Sequence, residues 1–212
     1  MDFFEKVSQA KIVPVVVIED AADAIPTARA LLAGGISFME ITMRTSCALD
    51  AIKQVKENVP DMTVGAGTVI TPANARDAIA AGATFIVSPG FCGEVVDICI
   101  ENDIPAVPGC VTPTEITVAI NKGLSVVKFF PAGVYGGKKA IKELASVFRS
   151  VKFLPTGGVN QDNLNEYINE PYITAVGGSW LCPAKLIAAH DFDEITRRAN
   201  EAVMAVRKEI SL

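Results

Sequence analysis

Short β-branched runs return along this chain at a nearly constant interval, and that rhythm constrains the fold more than any other feature. The runs occupy residues 12–18, 37–41, 62–65, 85–87, 105–107, 125–129, 151–154 and 173–176. Their starts lie about 20 to 27 residues apart, the length of one strand, one helix and two short loops. The segments between them read as helices. Residues 21–33 are rich in Ala and Leu and are followed by Gly34-Gly35 as a stop. Residues 46–58 place Leu49, Ile52 and Val55 at helical spacing. Thr71-Pro72 and Thr112-Pro113 each set an N-cap residue before a proline at the first helical position. Several runs are apolar without alternation, as parallel strands covered by helices are. Eight such units without a linker predict one (β/α)8 (TIM) barrel, α/β in class and a single domain over residues 1–212. A doubly wound open sheet is the structural alternative. Residues 2–10 predict a short extra N-terminal helix closing the barrel bottom, and residues 191–210 the last helix.

Composition narrows the function classes. Half of the 212 residues are hydrophobic, so the chain buries enough surface to offset its ordering entropy and is not disordered. Lys plus Arg number 19 against 24 Asp plus Glu, a net charge of −5, which lacks the basic footprint of a nucleic-acid binder. The longest apolar run, 12–18, is far short of the roughly 20 residues of a spanning helix. The N-terminus carries no cleavable signal pattern, and the expected location is the cytoplasm. Cys47, Cys92, Cys99, Cys110 and Cys182 are odd in number and form no C-x-x-C, against a disulfide framework or a zinc cage. Reduced thiols of a cytosolic protein are expected.

In a parallel barrel, chemistry collects at the C-terminal ends of strands. There the sequence offers Glu40 to Thr45, Gly65-Ala66-Gly67-Thr68, Ser88-Pro89-Gly90, Pro108-Gly109, Lys128 to Gly133, Thr156-Gly157-Gly158 and Gly177-Gly178-Ser179. Lys128 stands alone in the apolar stretch 126–130. It either snorkels to the rim or pairs with a carboxylate, or, buried beside another cation such as Arg44, it serves as a nucleophile toward carbonyls. Glu40 interrupts strand two and is either an ion-pair partner of Arg44 or Lys128 or a general acid and base. Arg44 offers a planar fork to a carboxylate or phosphate, or makes a surface ion pair. The Gly-Gly pairs at 157–158 and 177–178 fall in the last two units, where barrels often bind phosphate; tight loop geometry is the alternative. His190, the single histidine, is expected at a helix C-terminus. One histidine supports neither a Ser-His-Asp triad nor a histidine-rich metal site.

Taken in order, Met39-Glu40-Ile41-Thr42-Met43-Arg44-Thr45, Gly65-Ala66-Gly67-Thr68-Val69, Val87-Ser88-Pro89-Gly90, Val127-Lys128-Phe129-Phe130-Pro131-Ala132, Pro155-Thr156-Gly157-Gly158-Val159 and Gly177-Gly178-Ser179-Trp180 resemble one family along nearly the whole chain. It is the class I 2-keto-3-deoxy-6-phosphogluconate (KDPG) and 4-hydroxy-2-oxoglutarate (KHG) aldolase family. The resemblance implies a Schiff-base aldolase of carbohydrate metabolism, of the Entner–Doudoroff kind. It would cleave KDPG to pyruvate and glyceraldehyde 3-phosphate, with KHG cleaved to pyruvate and glyoxylate as a further activity. It implies Lys128 as the Schiff-base lysine and Glu40 as the general acid and base. Arg44 and Thr68 would meet the substrate carboxylate, and Pro89 and Phe130 would wall the imine. Thr156 would meet a substrate hydroxyl, and Gly157, Gly158 and Ser179 the phosphate. The resemblance implies no metal and no cofactor, a small keto-acid sugar phosphate as partner, and a homotrimer. Two readings compete. An aldolase specific for the 6-phosphogalactonate isomer differs only at one stereocentre. A phosphate-binding barrel without covalent chemistry, such as an isomerase, a biosynthetic enzyme or a metabolite sensor, would use Lys128 as an electrostatic or structural group.

Overall fold

The computed structural model describes residues 2–210. Eight parallel strands run β1 (Ile12–Val16), β2 (Phe38–Thr42), β3 (Thr63–Gly67), β4 (Ile86–Val87), β5 (Ala106–Val107), β6 (Val126–Phe129), β7 (Lys152–Pro155) and β8 (Val176–Gly178). The order β5-β4-β3-β2-β1-β8 forms one continuous ladder and β6-β7 another. Parallel bridges Gly109↔Lys128, Thr156↔Gly177 and Phe153↔Ile173 join the two ladders at both seams. The ring is therefore closed, as a (β/α)8 barrel and not as an open doubly wound sheet.

The helices between the strands are α2 (Ala24–Ala33), α3 (Ala48–Asn58), α4 (Pro72–Ala80), α5 (Gly93–Glu101), α6 (Pro113–Asn121), α7 (Gly137–Val147) and α8 (Leu164–Ile168). Helix α1 (Phe3–Ala10) precedes β1, and α9 (Ala184–Ala188) and α10 (Phe192–Ile210) follow β8. Local chemistry sets many of these boundaries. Asp2 and Glu5 form a capping box at α1, and Thr112 and Glu115 form another at α6. The Thr71 hydroxyl accepts from the Asn74 N–H to open α4 ahead of Pro72. Each such cap satisfies N–H groups that a helix start leaves free, worth about 1 kcal/mol.

Two boundaries depart from the sequence pattern. The run expected as strand eight, 173–176, is mostly irregular: Ile173 makes a single bridge, and the strand proper is Val176–Gly178. The glycines expected after it lie inside it, because they pair with Val13 and Pro14 of β1. Likewise β3 runs on to Gly67, two residues past the run 62–65. In both cases neighbouring strands supply the ladder, which overrides the low intrinsic strand preference of glycine.

Strand alternation divides the core into two clusters. Ile12, Met39, Ile41, Val64, Ile86, Val127 and Phe153 face outward into the layer shared with the helices. Val13, Phe38, Phe85, Val87, Val107, Val126, Leu154 and Ala175 face inward and fill the lower barrel. Phe3 and Phe4 of α1 pack on this inner cluster, with the Phe3 ring 5.2 Å from Phe85 and 5.9 Å from Phe38. The N-terminal helix is thus the bottom plug. Because side chains repeat with period two, the inward positions one step above this floor are Val15, Glu40, Gly67, Pro89, Gly109, Lys128, Thr156 and Gly177. The apolar floor makes the barrel a closed-bottomed cup beneath Glu40 and Lys128.

Glu115 carries a pH signature of the fold. Burial pushes its carboxyl up, but hydrogen bonds from the Val111 N–H, the Thr112 hydroxyl and the Thr112 N–H outweigh this and hold it below its usual 4.5. A depressed folded value stabilises above the unfolded value and is lost as pH falls through the folded one. Glu115→Gln is therefore expected to lower thermal stability at pH 7, with the gap to wild type closing as pH drops below 4.5. Melting curves at neutral and acidic pH measure it; a gap that persists unchanged into acid would refute the assignment.

Candidate active site

Lys128 and Glu40 lie inside the cup, 4% and 1% exposed. The Lys128 ammonium donates to Glu40 Oε1 at 3.3 Å, looser than the roughly 2.7–2.9 Å of a tight charge-assisted bond. The same Nζ sits 5.2 Å from the centre of the Phe130 ring, within cation–π range. The second carboxylate oxygen, Glu40 Oε2, is buried and makes no hydrogen bond. Burying two charges costs several kcal/mol per ion, which their attraction only partly returns. Stability alone does not explain this pair.

Glycine makes room for it. The Glu40 carboxyl leans up the barrel and over Gly67, where a Cβ would collide with Oε1, Cδ and Cγ. One step lower on β3, a Cβ at Gly65 would strike the Phe85 ring. Strand β3 therefore gives its inward positions to two glycines, so that β2 and β4 can place large side chains in a narrow ring.

The remaining expected residues divide by position. Arg44, Phe130, Thr156, Gly157, Gly158 and Ser179 line the same cavity as Lys128, a space of about 580 Å³, within the usual range of small-molecule sites. Thr68 stands beside it: its hydroxyl accepts from Arg44 Nε at 3.3 Å. Thr68 has φ +59°, a left-handed conformation that costs a β-branched residue about 1–3 kcal/mol and is typical of functional turns. Gly157 and Gly158 are also left-handed, at φ +83° and +89°, where glycine alone carries no penalty. Pro89 does not line the cavity. It follows β4 by two residues, with its carbonyl pressed on Gly109, the residue that bridges Lys128.

Thr156 Oγ1 is buried without a hydrogen bond, and its methyl and hydroxyl occupy the space a Cβ at Gly177 would take. Val15, Val17, Val159, Trp180 and Pro183 also line the cavity. The strand-end rule, applied to β1, identifies Val17; no local pattern points to Pro183. Cys182 is a lining residue as well, but burial pushes its thiol up to about 12, against a smaller pull from Arg198, so it is no thiolate at neutral pH. All five cysteines are free. His190 lies outside this cavity. It follows α9 at φ +54°, bonds Asp23 Oδ1 through Nε2 at 3.0 Å and stacks on Phe192, the structural role its position predicts. Among the described residues no three His, Cys, Asp or Glu side chains gather to hold a metal ion, and no helix is long and apolar enough to cross a membrane.

The chain is similar to known proteins in both sequence and fold. The family model of KDPG and KHG aldolase fits residues 4–198. The 2-dehydro-3-deoxy-phosphogluconate aldolase of Treponema pallidum is 45% identical over 203 residues, covering 96% of this chain and 97% of that protein. The KHG/KDPG aldolase of Escherichia coli K12 is 42% identical over 192 residues, covering 91% and 90%. Among solved structures, the KDPG aldolase of Legionella pneumophila superposes with a TM-score of 0.91 at 40% identity, over 95% of this chain and 98% of that one. Its crystals hold pyruvate captured at low pH as a covalent carbinolamine. With likeness in sequence and in fold running nearly end to end, the chain belongs to the KDPG and KHG aldolase family and is a carbon–carbon lyase.

Proposed function

We propose that this chain is a class I aldolase that cleaves KDPG to pyruvate and glyceraldehyde 3-phosphate through a Schiff base on Lys128, and that it cleaves KHG by the same chemistry. The observation that carries this reading is a buried lysine in loose contact with a buried glutamate, the lysine opening onto a cavity with Arg44 and Ser179 on its walls.

Breaking a C–C bond beside a ketone needs an electron sink, and an iminium supplies one. Lys128 passes one ammonium proton to Glu40, the neutral Nζ adds to the C2 carbonyl, and loss of water from the carbinolamine yields the iminium. Glu40, 3.3 Å from that nitrogen, gives a proton to the leaving water and takes the proton of the C4 hydroxyl. The C3–C4 pair then flows into the iminium, releasing the aldehyde and leaving an enamine. Protonation at C3 and hydrolysis return pyruvate and free lysine. The Phe130 ring beside Nζ shields the imine from bulk water. Arg44, steadied by Thr68, takes the C1 carboxylate as a planar fork. Thr156 offers its free hydroxyl to a substrate hydroxyl. Gly157 and Gly158, open on the backbone, take the phosphate together with Ser179, and Pro89 supports the wall behind Gly109 and Lys128. In this reading residues 1–212 work as one domain, without metal or cofactor, in the cytoplasm and as a homotrimer.

Borohydride reduction in the presence of pyruvate, followed by peptide mapping, tests the covalent step. A reduced pyruvyl adduct on Lys128 is expected; an adduct on another lysine, or none, would leave the non-covalent barrel reading. Turnover of KDPG against its 6-phosphogalactonate isomer then decides the stereochemistry. Ser179→Ala is expected to raise KM for KDPG about tenfold, the loss of roughly 1.4 kcal/mol from one charge-assisted hydrogen bond. KM for KHG, which has no phosphate, should stay unchanged. An equal rise for both substrates would remove Ser179 from the phosphate end.

A further inference from the structure

Three buried oxygens of the barrel interior make no hydrogen bond: Glu40 Oε2, Thr156 Oγ1 and Thr42 Oγ1. The first two belong to the proposed site. Thr42 is 0% exposed and, like Glu40, does not itself line the cavity. Its place in the ladder is specific. Thr42 follows Glu40 by two residues on β2, so both face inward. Gly67 is its register partner across the β2–β3 ladder. Gly67 is also the residue over which the Glu40 carboxyl lies. Glu40 bends up the strand into the level of Thr42, and residues in register are about 5 Å apart at Cα. A buried carboxylate oxygen without a donor is costly, and Lys128 reaches only Oε1.

We propose that Thr42 is the positioning residue for Glu40, and that its hydroxyl takes hold of the carboxyl when Lys128 becomes a Schiff base. The proposal rests on the acid–base reading of Glu40 above. On iminium formation Nζ keeps one N–H of the three it carries as an ammonium, and the plane of the C=N bond fixes its direction, so Glu40 is left with fewer donors than in the resting enzyme. A threonine hydroxyl is a donor to the carboxylate and an acceptor from the carboxylic acid. It therefore follows Glu40 through both protonation states without moving the backbone, and keeps one carboxyl oxygen aimed at the reacting carbon. An aliphatic side chain of the same shape would fill the space and do neither.

The test compares Thr42→Val, Thr42→Ser and Thr42→Ala. Three readouts are taken: steady-state cleavage of KDPG, exchange of pyruvate methyl protons with deuterated water, and borohydride trapping of pyruvate. Thr42→Val is expected to lower kcat and methyl exchange about tenfold or more, a fraction of the usual general acid–base contribution. KM and trapping on Lys128 should be retained. Thr42→Ser is expected to restore kcat and exchange to within about threefold of wild type, since the hydroxyl is what acts. Should Thr42→Val not fold, the ratio of Thr42→Ser to Thr42→Ala, which differ by the hydroxyl alone, reads the same effect. Exchange in Thr42→Val equal to wild type, or a loss that serine does not restore, overturns the proposal. Absence of a Lys128 adduct in the wild-type enzyme instead overturns the aldolase reading on which it rests, so the two failures are distinct.

Discussion

Lys128→Ala is expected to lower KDPG cleavage by at least about 10³-fold, more than 4 kcal/mol of barrier, because no other inward side chain offers a nucleophilic nitrogen beside Glu40. The variant also carries a structural cost. Glu40 is 1% exposed, and removing its cation leaves a buried carboxylate uncompensated, at about 3–5 kcal/mol. A drop in melting temperature therefore accompanies the loss of activity and must not be mistaken for its cause. The double variant Glu40→Gln/Lys128→Met separates the two effects. It carries no buried charge, so it should recover much of the lost stability while staying inactive. Residual turnover of Lys128→Ala within about tenfold of wild type, roughly 1.4 kcal/mol, would end the covalent assignment.

Gly67→Ala is expected to have the second largest effect. The added methyl falls on the Glu40 carboxyl, and in a ring closed on every side the carboxyl must leave its place beside Lys128. A base displaced by an ångström loses about 10²-fold in rate, so kcat is expected to fall by about that factor. The pyruvate adduct should still form on Lys128, more slowly, because the amine itself is untouched. Gly93→Ala is the control. It opens α5 with nothing closer than a Phe91 ring atom at 4.0 Å, so an alanine there should leave activity unchanged. Wild-type kcat in Gly67→Ala would mean that the position of Glu40 over Gly67 has no part in turnover.

Much of the architecture was legible before any coordinates. The first seven β-branched runs, the Thr-Pro helix starts and the short N-terminal helix appear where the pattern put them. They are local signals: hydrogen-bond caps, fixed proline φ and burial with a period. Lys128 and Glu40 were legible for a similar reason, since a lone charge in an apolar strand needs either a partner or a purpose. The glycine-rich strands were misjudged because their reason is non-local. Gly67 exists for a carboxylate on β2, Gly65 for the Phe85 ring just before β4, and Gly177 for the Thr156 side chain just after β7. A strand read alone shows only a poor strand former.

The sequence by itself determined the repeat, the class of fold, the chemical identity of the charged groups and the kinship of the chain, because each is carried by residue type and spacing along one dimension. Only the tertiary structure decided which face of each strand met the barrel axis. Closure of the ring at Gly109↔Lys128 and Thr156↔Gly177 brought Glu40, 88 residues from Lys128, to 3.3 Å from its ammonium. It also set Thr42 level with the Glu40 carboxyl. Those outcomes depend on register and on the radius of the closed barrel, and a one-residue slip on β2 would turn every one of its side chains to the opposite face.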